Sequence, residues 1–165
     1  MGMSSVLTCD RGVGMASWFF FSFLVLVLDQ LSKYFVGHEM QLGQSISVIP
    51  GILALTYVHN TGAAFGLLSR QTALLAGITA SAVVGVILYR KRLAQTPLLV
   101  RFGVFLALGG AVGNLVDRLF FGAVRDFVYI RYFAVFNVAD CAIVVGVGLI
   151  ALALLLDGRH DAGRS

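Results

Sequence analysis

Four apolar segments, residues 17–36, 72–89, 98–116 and 139–156, constrain this chain more than any other feature. Crossing about 30 Å of hydrocarbon takes roughly 20 helical residues, and each segment is near or at that length. Composition agrees. Charged residues are 12% of the chain and hydrophobic residues 59%, and the charged share is about half of what a soluble domain carries. A soluble protein of 165 residues could not cover itself with so few charges. The expectation is one membrane domain of four transmembrane helices over 15–157. Residues 1–14 are expected as a disordered leader, with the true start open between Met1 and Met15, and 158–165 as a cytoplasmic tail. The first segment runs into Asp29-Gln-Leu-Ser-Lys33 without a small-residue cleavage site, so it reads as a retained helix and not as a cleaved leader.

Arg90, Lys91 and Arg92 lie between the second and third segments. Positive charge beside a span marks the cytoplasmic side, so both termini are expected there too. Arg11, Arg101, Arg159 and Arg164 fit that arrangement. The formal charge is only +4 and the basic residues form no stripe with interleaved aromatics, which argues against nucleic-acid binding. Cys9 and Cys141 carry neither metal-ligand spacing nor a disulfide framework.

The same topology puts 37–71 and 119–138 on the outer face. Residues 45–49 and 52–58 alternate as strands around a turn at Pro50-Gly51, and 124–130 is rich in β-branched and aromatic residues. A small extracytoplasmic sheet follows. It has to lie in water or at the interface, because unpaired strand edges cannot face lipid. His38, His59, Phe133 and Phe136 are expected in that interfacial layer. The phenylalanines clustered in the first segment are expected to face lipid.

The chain's few polar groups gather at the outer ends of the last two segments. Asn114 and Arg118 are four apart and share a helix face. Asn137 and Asp140 are three apart where the last segment begins, and Asp126 lies in the connection between. Ionisable groups at the membrane are costly and are functional candidates by default. Two carboxylates brought close share a proton, so one can act as base toward water and the other as acid. Asp126 and Asp140 are the candidate pair, equipped to split an amide without a metal. Structural readings of the same residues stay open: an Asp126–Arg118 ion pair, Asp140 as a helix-starting carboxylate, Asn137 as a cap. Asp117 points about 100° away from Arg118 on the helix and is expected to hold structure. Asp29 and Lys33, four apart, are expected as a helix-face pair. Asn60-Thr-Gly-Ala-Ala-Phe65 reads as a small-residue turn, and Gly109, Gly110 and Gly113 as close helix contacts. A proton-conducting transporter would also use buried acids. These, however, cluster at one face and form no path through the membrane, and no inverted repeat is visible. A purely structural membrane subunit would not need two asparagines, an arginine and two aspartates at one depth.

Five motifs in order resemble the bacterial lipoprotein signal peptidases, or signal peptidases II. They are Asp29-Gln-Leu-Ser-Lys33, Asn60-Thr-Gly-Ala-Ala-Phe-Gly66, Gly109-Gly-Ala-Val-Gly-Asn-Leu-Val-Asp-Arg118, Val124-Arg-Asp-Phe127 and Phe136-Asn-Val-Ala-Asp140. The resemblance implies a monomeric aspartyl endopeptidase of the bacterial inner membrane, with four helices and an extracytoplasmic β-cradle. It implies cleavage of diacylglyceryl-modified prolipoproteins just before the lipidated cysteine, no cofactor or metal, and inhibition by globomycin. Carried over by motif, Asp126 and Asp140 are the catalytic dyad. Asn114, Arg118, Asn137 and Asn60 line the site, with Asp29, Lys33 and Asp117 as structural support. The stretch between the two aspartates, 127–139, is short compared with the family's pattern.

Overall fold

The computed structural model describes residues 14–62 and 71–162, with side chains to Asp157. Residues 1–13 of the expected leader, Ala63, Ala64 and Phe65 of the small-residue turn, and the last three residues of the expected tail lie outside the described residues. In chain order the elements are α1 (Met15–Glu39), β1 (Ser45–Ile49), β2 (Leu53–Asn60), α2 (Thr72–Leu88) and α3 (Arg90–Leu93). They continue with α4 (Leu98–Phe121), β3 (Val124–Ile130), β4 (Val135–Phe136) and α5 (Val138–Ala162).

Among the described residues three helices are long and apolar enough to cross a membrane: α1, α4 and α5 as far as Asp157. Helix α2 is equally apolar but only 17 residues long, closing where the Tyr89 N–H meets the Gly85 carbonyl. Outward faces carry exposed Phe20, Phe23, Leu28, Leu88, Val144 and Leu154, a surface suited to acyl chains and not to water. Helix α5 runs on through Ala162, into the segment expected as a tail.

Helix α4 is the hub, packing against α1, α2 and α5. Its glycines allow the approach: a Cβ on Gly109 would lie 2.6 Å from the Ser22 carbonyl oxygen of α1, and one on Gly110 would strike the Ala139 carbonyl of α5. The Ser22 hydroxyl donates to the Phe105 carbonyl across the same α1–α4 contact at 2.7 Å. The inner stripe of α1 is Trp18, Ser22, Val25, Asp29 and Lys33, spaced three and four apart as a helix requires. Its apolar end packs on Phe105 and Leu108. The expectation for the α1 phenylalanines therefore holds only in part. Phe20 and Phe23 face outward, while Phe19 and Phe21 flank the inner stripe and meet Phe105 and Phe102 edge-on.

The four strands form one antiparallel sheet in the order β1-β2-β3-β4. Ile52 belongs to the turn, not to the strand expected from 52, because Gly51 takes a left-handed φ of 73° and the Ile52 N–H closes back on Ile49. At its other end β2 continues past Val58 to Asn60, paired His59 to Arg125 and Asn60 to Val124. Helix α4 likewise outruns the expected end at 116, stopping at Gly122 with φ 69°. Strand β1 is exposed throughout. The first half of β3 is buried against α4 and α1, which carries Asp126 to the helix ends.

Candidate active site

Two asparagine side chains join Asp126 to Asp140. Asn137 precedes α5, and its Oδ1 accepts the Asp140 backbone N–H at 2.9 Å. The Asp140 carboxylate returns the contact by accepting the Asn137 backbone N–H at 3.3 Å, which makes a reciprocal cap at the helix start. The cap leaves the Asn137 amide nitrogen free to point away from the helix. It donates to Asp126 Oδ1 at 2.7 Å and to Asn114 Oδ1 at 3.1 Å. Asn114, from α4, donates in turn to Asp140 Oδ1 at 2.8 Å. Asn60, at the end of β2, donates to the second Asp126 oxygen at 3.0 Å. Its own Oδ1 accepts the Gly62 N–H at 2.9 Å, which turns the chain away.

Asp126 is 1% exposed and Asn137 fully buried, whereas Asp140 is half-buried. Burial pushes the Asp126 carboxyl up to about 6. The Asn60 and Asn137 hydrogen bonds and the Lys33 charge oppose that rise, and the nearby Asp140 charge adds to it. Both aspartates line one cavity of about 510 Å³. Its polar wall is Asn60, Asn114, Arg118, Asp126 and Asp140, and its apolar wall includes Phe133, Phe136, Ile143 and Val144. A site with two carboxylates on one wall and aliphatic side chains on the other can hold an amphiphilic molecule and present water to it.

Arg118 lines the cavity without pairing to either aspartate. Its guanidinium reaches the Gly62 carbonyl at 3.5 Å, a weak contact, and among the described residues it makes no ion pair with Asp126. The ion-pair reading of those two residues is therefore not what the structure contains. The capping reading of Asn137 is present, but alongside its bond to Asp126.

Beneath this layer sits a buried ionic network. Lys33 contacts Asp29 at 2.7 Å and Asp117 at 3.2 Å, with all three side chains fully buried. Asp117 also accepts the Arg125 guanidinium at 2.7 Å and the Arg125 backbone N–H at 2.9 Å. Asp29 accepts the Ala139 N–H at 2.9 Å, tying α1 to the start of α5. Gln30 bridges the network, donating to Asp29 and Asp117 and accepting from Arg125.

The sequence brought forward Asp29, Lys33 and Asp117 but not Arg125 or Gln30. A signal existed for Arg125. Successive residues of a strand point to opposite faces, so placing Asp126 toward one side sends Arg125 to the other. Nothing in the spacing of α1 marks Gln30. Among the described residues no group of three or more His, Cys, Asp or Glu is placed to hold a metal ion.

The family model described as signal peptidase (SPase) II matches residues 21–156. The lipoprotein signal peptidase of Moorella thermoacetica is 49% identical over 134 residues, covering 81% of this chain and 89% of its own length. That of Symbiobacterium thermophilum is 44% identical over 140 residues, covering 82% of this chain and 92% of its own. A bacterial membrane enzyme solved by the in meso method at 2.3 Å superposes with a TM-score of 0.80 at 34% identity, covering 87% of this chain and 90% of that one.

Proposed function

The chain belongs to the signal peptidase II family, and from that premise we propose that it is a membrane aspartyl endopeptidase acting through Asp126 and Asp140. It removes the signal peptide from diacylglyceryl-modified prolipoproteins, cutting just before the lipidated cysteine. One observation carries the dyad: both carboxylates line the same cavity and are linked through the Asn137 and Asn114 amides.

The two aspartates divide the work by environment. Burial makes Asp126 hold a proton more tightly than an ordinary carboxyl does, which suits it to hydrogen-bond the scissile carbonyl oxygen and then protonate the leaving amine. Asp140 lies in the first turn of α5, where the helix dipole favours negative charge. It takes a proton from the attacking water. Asn114 and Asn137 hold the carboxylates in register, and Asn60 fixes the outer oxygen of Asp126. Arg118, unpaired with either aspartate, is available to a substrate carbonyl or to the developing oxyanion. The apolar wall accommodates the acyl chains of the modified cysteine. No cofactor enters the scheme.

The remaining assignments follow the charge pattern. Helix α2 completes a set of four spans, and Arg90, Lys91 and Arg92 mark the cytoplasmic side. Both termini lie there, the dyad sits near the periplasmic face of the inner membrane, and the enzyme works as a monomer. Globomycin competes for the cavity.

The direct test is mass spectrometry of purified protein incubated with a diacylated prolipoprotein peptide. The expected product begins at the lipidated cysteine, and the same peptide without the lipid is left intact. Cleavage elsewhere, or equal cleavage of both peptides, contradicts the assignment.

A further inference from the structure

We propose that Lys33 is a positioning residue for this site, fixing which end of the Asn114 amide faces Asp140. The inference rests on the aspartyl dyad above and deepens it. The two ends of an asparagine amide have nearly the same shape but opposite hydrogen-bonding character. If the nitrogen faces Asp140, the contact is a donated hydrogen bond. If the oxygen does, it is a clash of lone pairs.

An ammonium has three donors and no acceptor. All three donors of Lys33 are committed: to Asp29 Oδ2 at 2.7 Å, Asp117 Oδ2 at 3.2 Å and Asn114 Oδ1 at 3.0 Å. The side chain is fully buried, so it has no access to bulk water. The group facing Lys33 must therefore be the amide oxygen, and the nitrogen is turned to Asp140 Oδ1 at 2.8 Å. Asp29 and Asp117 hold the ammonium in place from α1 and α4, and Asp29 also grips the Ala139 N–H at the foot of α5. Lys33 thus sets the polarity of a contact two steps away without touching the reacting atoms. Asn137 also donates to Asn114 Oδ1, at 3.1 Å, so the experiment has to separate the two donors.

Removing the ammonium alone strands two buried carboxylates, so the working variant is the paired Asp29→Asn/Lys33→Met, which removes one charge of each sign. It is compared with Asn114→Leu and with the triple variant, using cleavage of a diacylated prolipoprotein by cooperatively melting protein. The paired variant should lose about tenfold to a hundredfold in kcat, the range a misplaced group costs, with KM little changed. Adding Asn114→Leu to it should cost almost nothing further, because both changes break one contact. Unchanged kcat in the folded paired variant overturns the proposal, and so does full additivity in the triple.

Asn114→Asp covers the case in which no Lys33 variant folds. It leaves every Lys33 ion pair in place and gives the ammonium a carboxylate, but replaces the amide nitrogen that donates to Asp140 with a carboxylate oxygen. It should fold and lose kcat by a similar factor; wild-type kcat overturns the proposal. Asp140→Asn runs alongside. If that variant cleaves, it is the dyad assignment that fails, and the Lys33 variants then report on a different reaction.

Discussion

Asn137 donates to Asp126 at 2.7 Å with the same side chain that caps the helix carrying Asp140. One residue therefore sets the start of α5 and the orientation of the strand carboxylate together. The two jobs use opposite ends of the amide and can be separated by substitution. Asn137→Ala loses both, and should cost about 1 kcal/mol from the lost cap alone together with most of the activity. Asn137→Ser keeps an oxygen at the cap but is too short to reach Asp126. Thermal melts in detergent should show stability largely restored in the serine variant while cleavage stays low. Recovery of both together contradicts the division.

Asp117 belongs to the ionic layer under the site. Asp117→Asn leaves Lys33 and Arg125 short of a fully buried carboxylate, a change that typically costs about 3–5 kcal/mol. Its effect should appear as a lowered melting temperature and reduced yield. The fraction that folds keeps Lys33 on Asp29 and Asn114, so its kcat should fall far less than that of the Asp29→Asn/Lys33→Met variant in a multiple-turnover cleavage assay.

Gly110 and Gly77 make a matched pair. A methyl group on Gly110 would meet the Ala139 backbone carbonyl, which cannot move without shifting the first turn of α5 and Asp140 with it. Gly110→Ala should destabilise by about 1–3 kcal/mol, as overpacking does, and should lower kcat. A methyl group on Gly77 in α2 would meet nothing within 4 Å. Gly77→Ala should raise stability by about 0.5–1 kcal/mol and leave cleavage unchanged, both read from the same melts and assays.

The pH response follows from burial of Asp126. Its folded value, about 6, lies above the ordinary 3.8, so the folded protein binds this proton more tightly than the unfolded chain does. The stability it contributes is fully present below about pH 4 and is lost as pH rises through about 6, at most about 3 kcal/mol in all. Asp126→Asn cannot titrate, so the melting temperature of wild type minus that of the variant should fall between pH 4 and pH 7. With Asp126 as the acid, kcat/KM should decline above about pH 6. Substrate expels water from the cavity and raises the carboxyl further, so the decline in kcat should lie at higher pH. Asn60→Ala removes a hydrogen bond to the ionised form and should move both midpoints upward. A downward move contradicts the assignment.

Particular residues show what the sequence could and could not reveal. Apolar runs marked α1, α4 and α5, and the four-residue spacing of Asp29 and Lys33 put them on one helix face. Spacing could not show that Lys33 also reaches Asn114, 81 residues away. That contact depends on how α1 and α4 cross, which the glycines of α4 permit but do not specify. The 100° offset set Asp117 apart from Arg118, and the two side chains lie in different surroundings, Asp117 against Lys33 and Arg125 and Arg118 at the cavity. The offset could not name Arg125 as Asp117's partner, because that pairing depends on how the chain turns at Gly122 to lay β3 against α4. Strand β4 is two residues long and carries no periodic signal of its own. It forms because Val135 and Phe136 lie opposite Tyr129 and Val128 on an existing edge.

Cleavage of a diacylated prolipoprotein by Asp126→Asn and Asp140→Asn, each checked for a cooperative melt, decides whether these two carboxylates carry the chemistry. The dyad predicts that both variants insert and fold yet release no signal peptide above background, since each retains the shape of the site and lacks one partner in proton transfer. Wild-type turnover by either folded variant would contradict it.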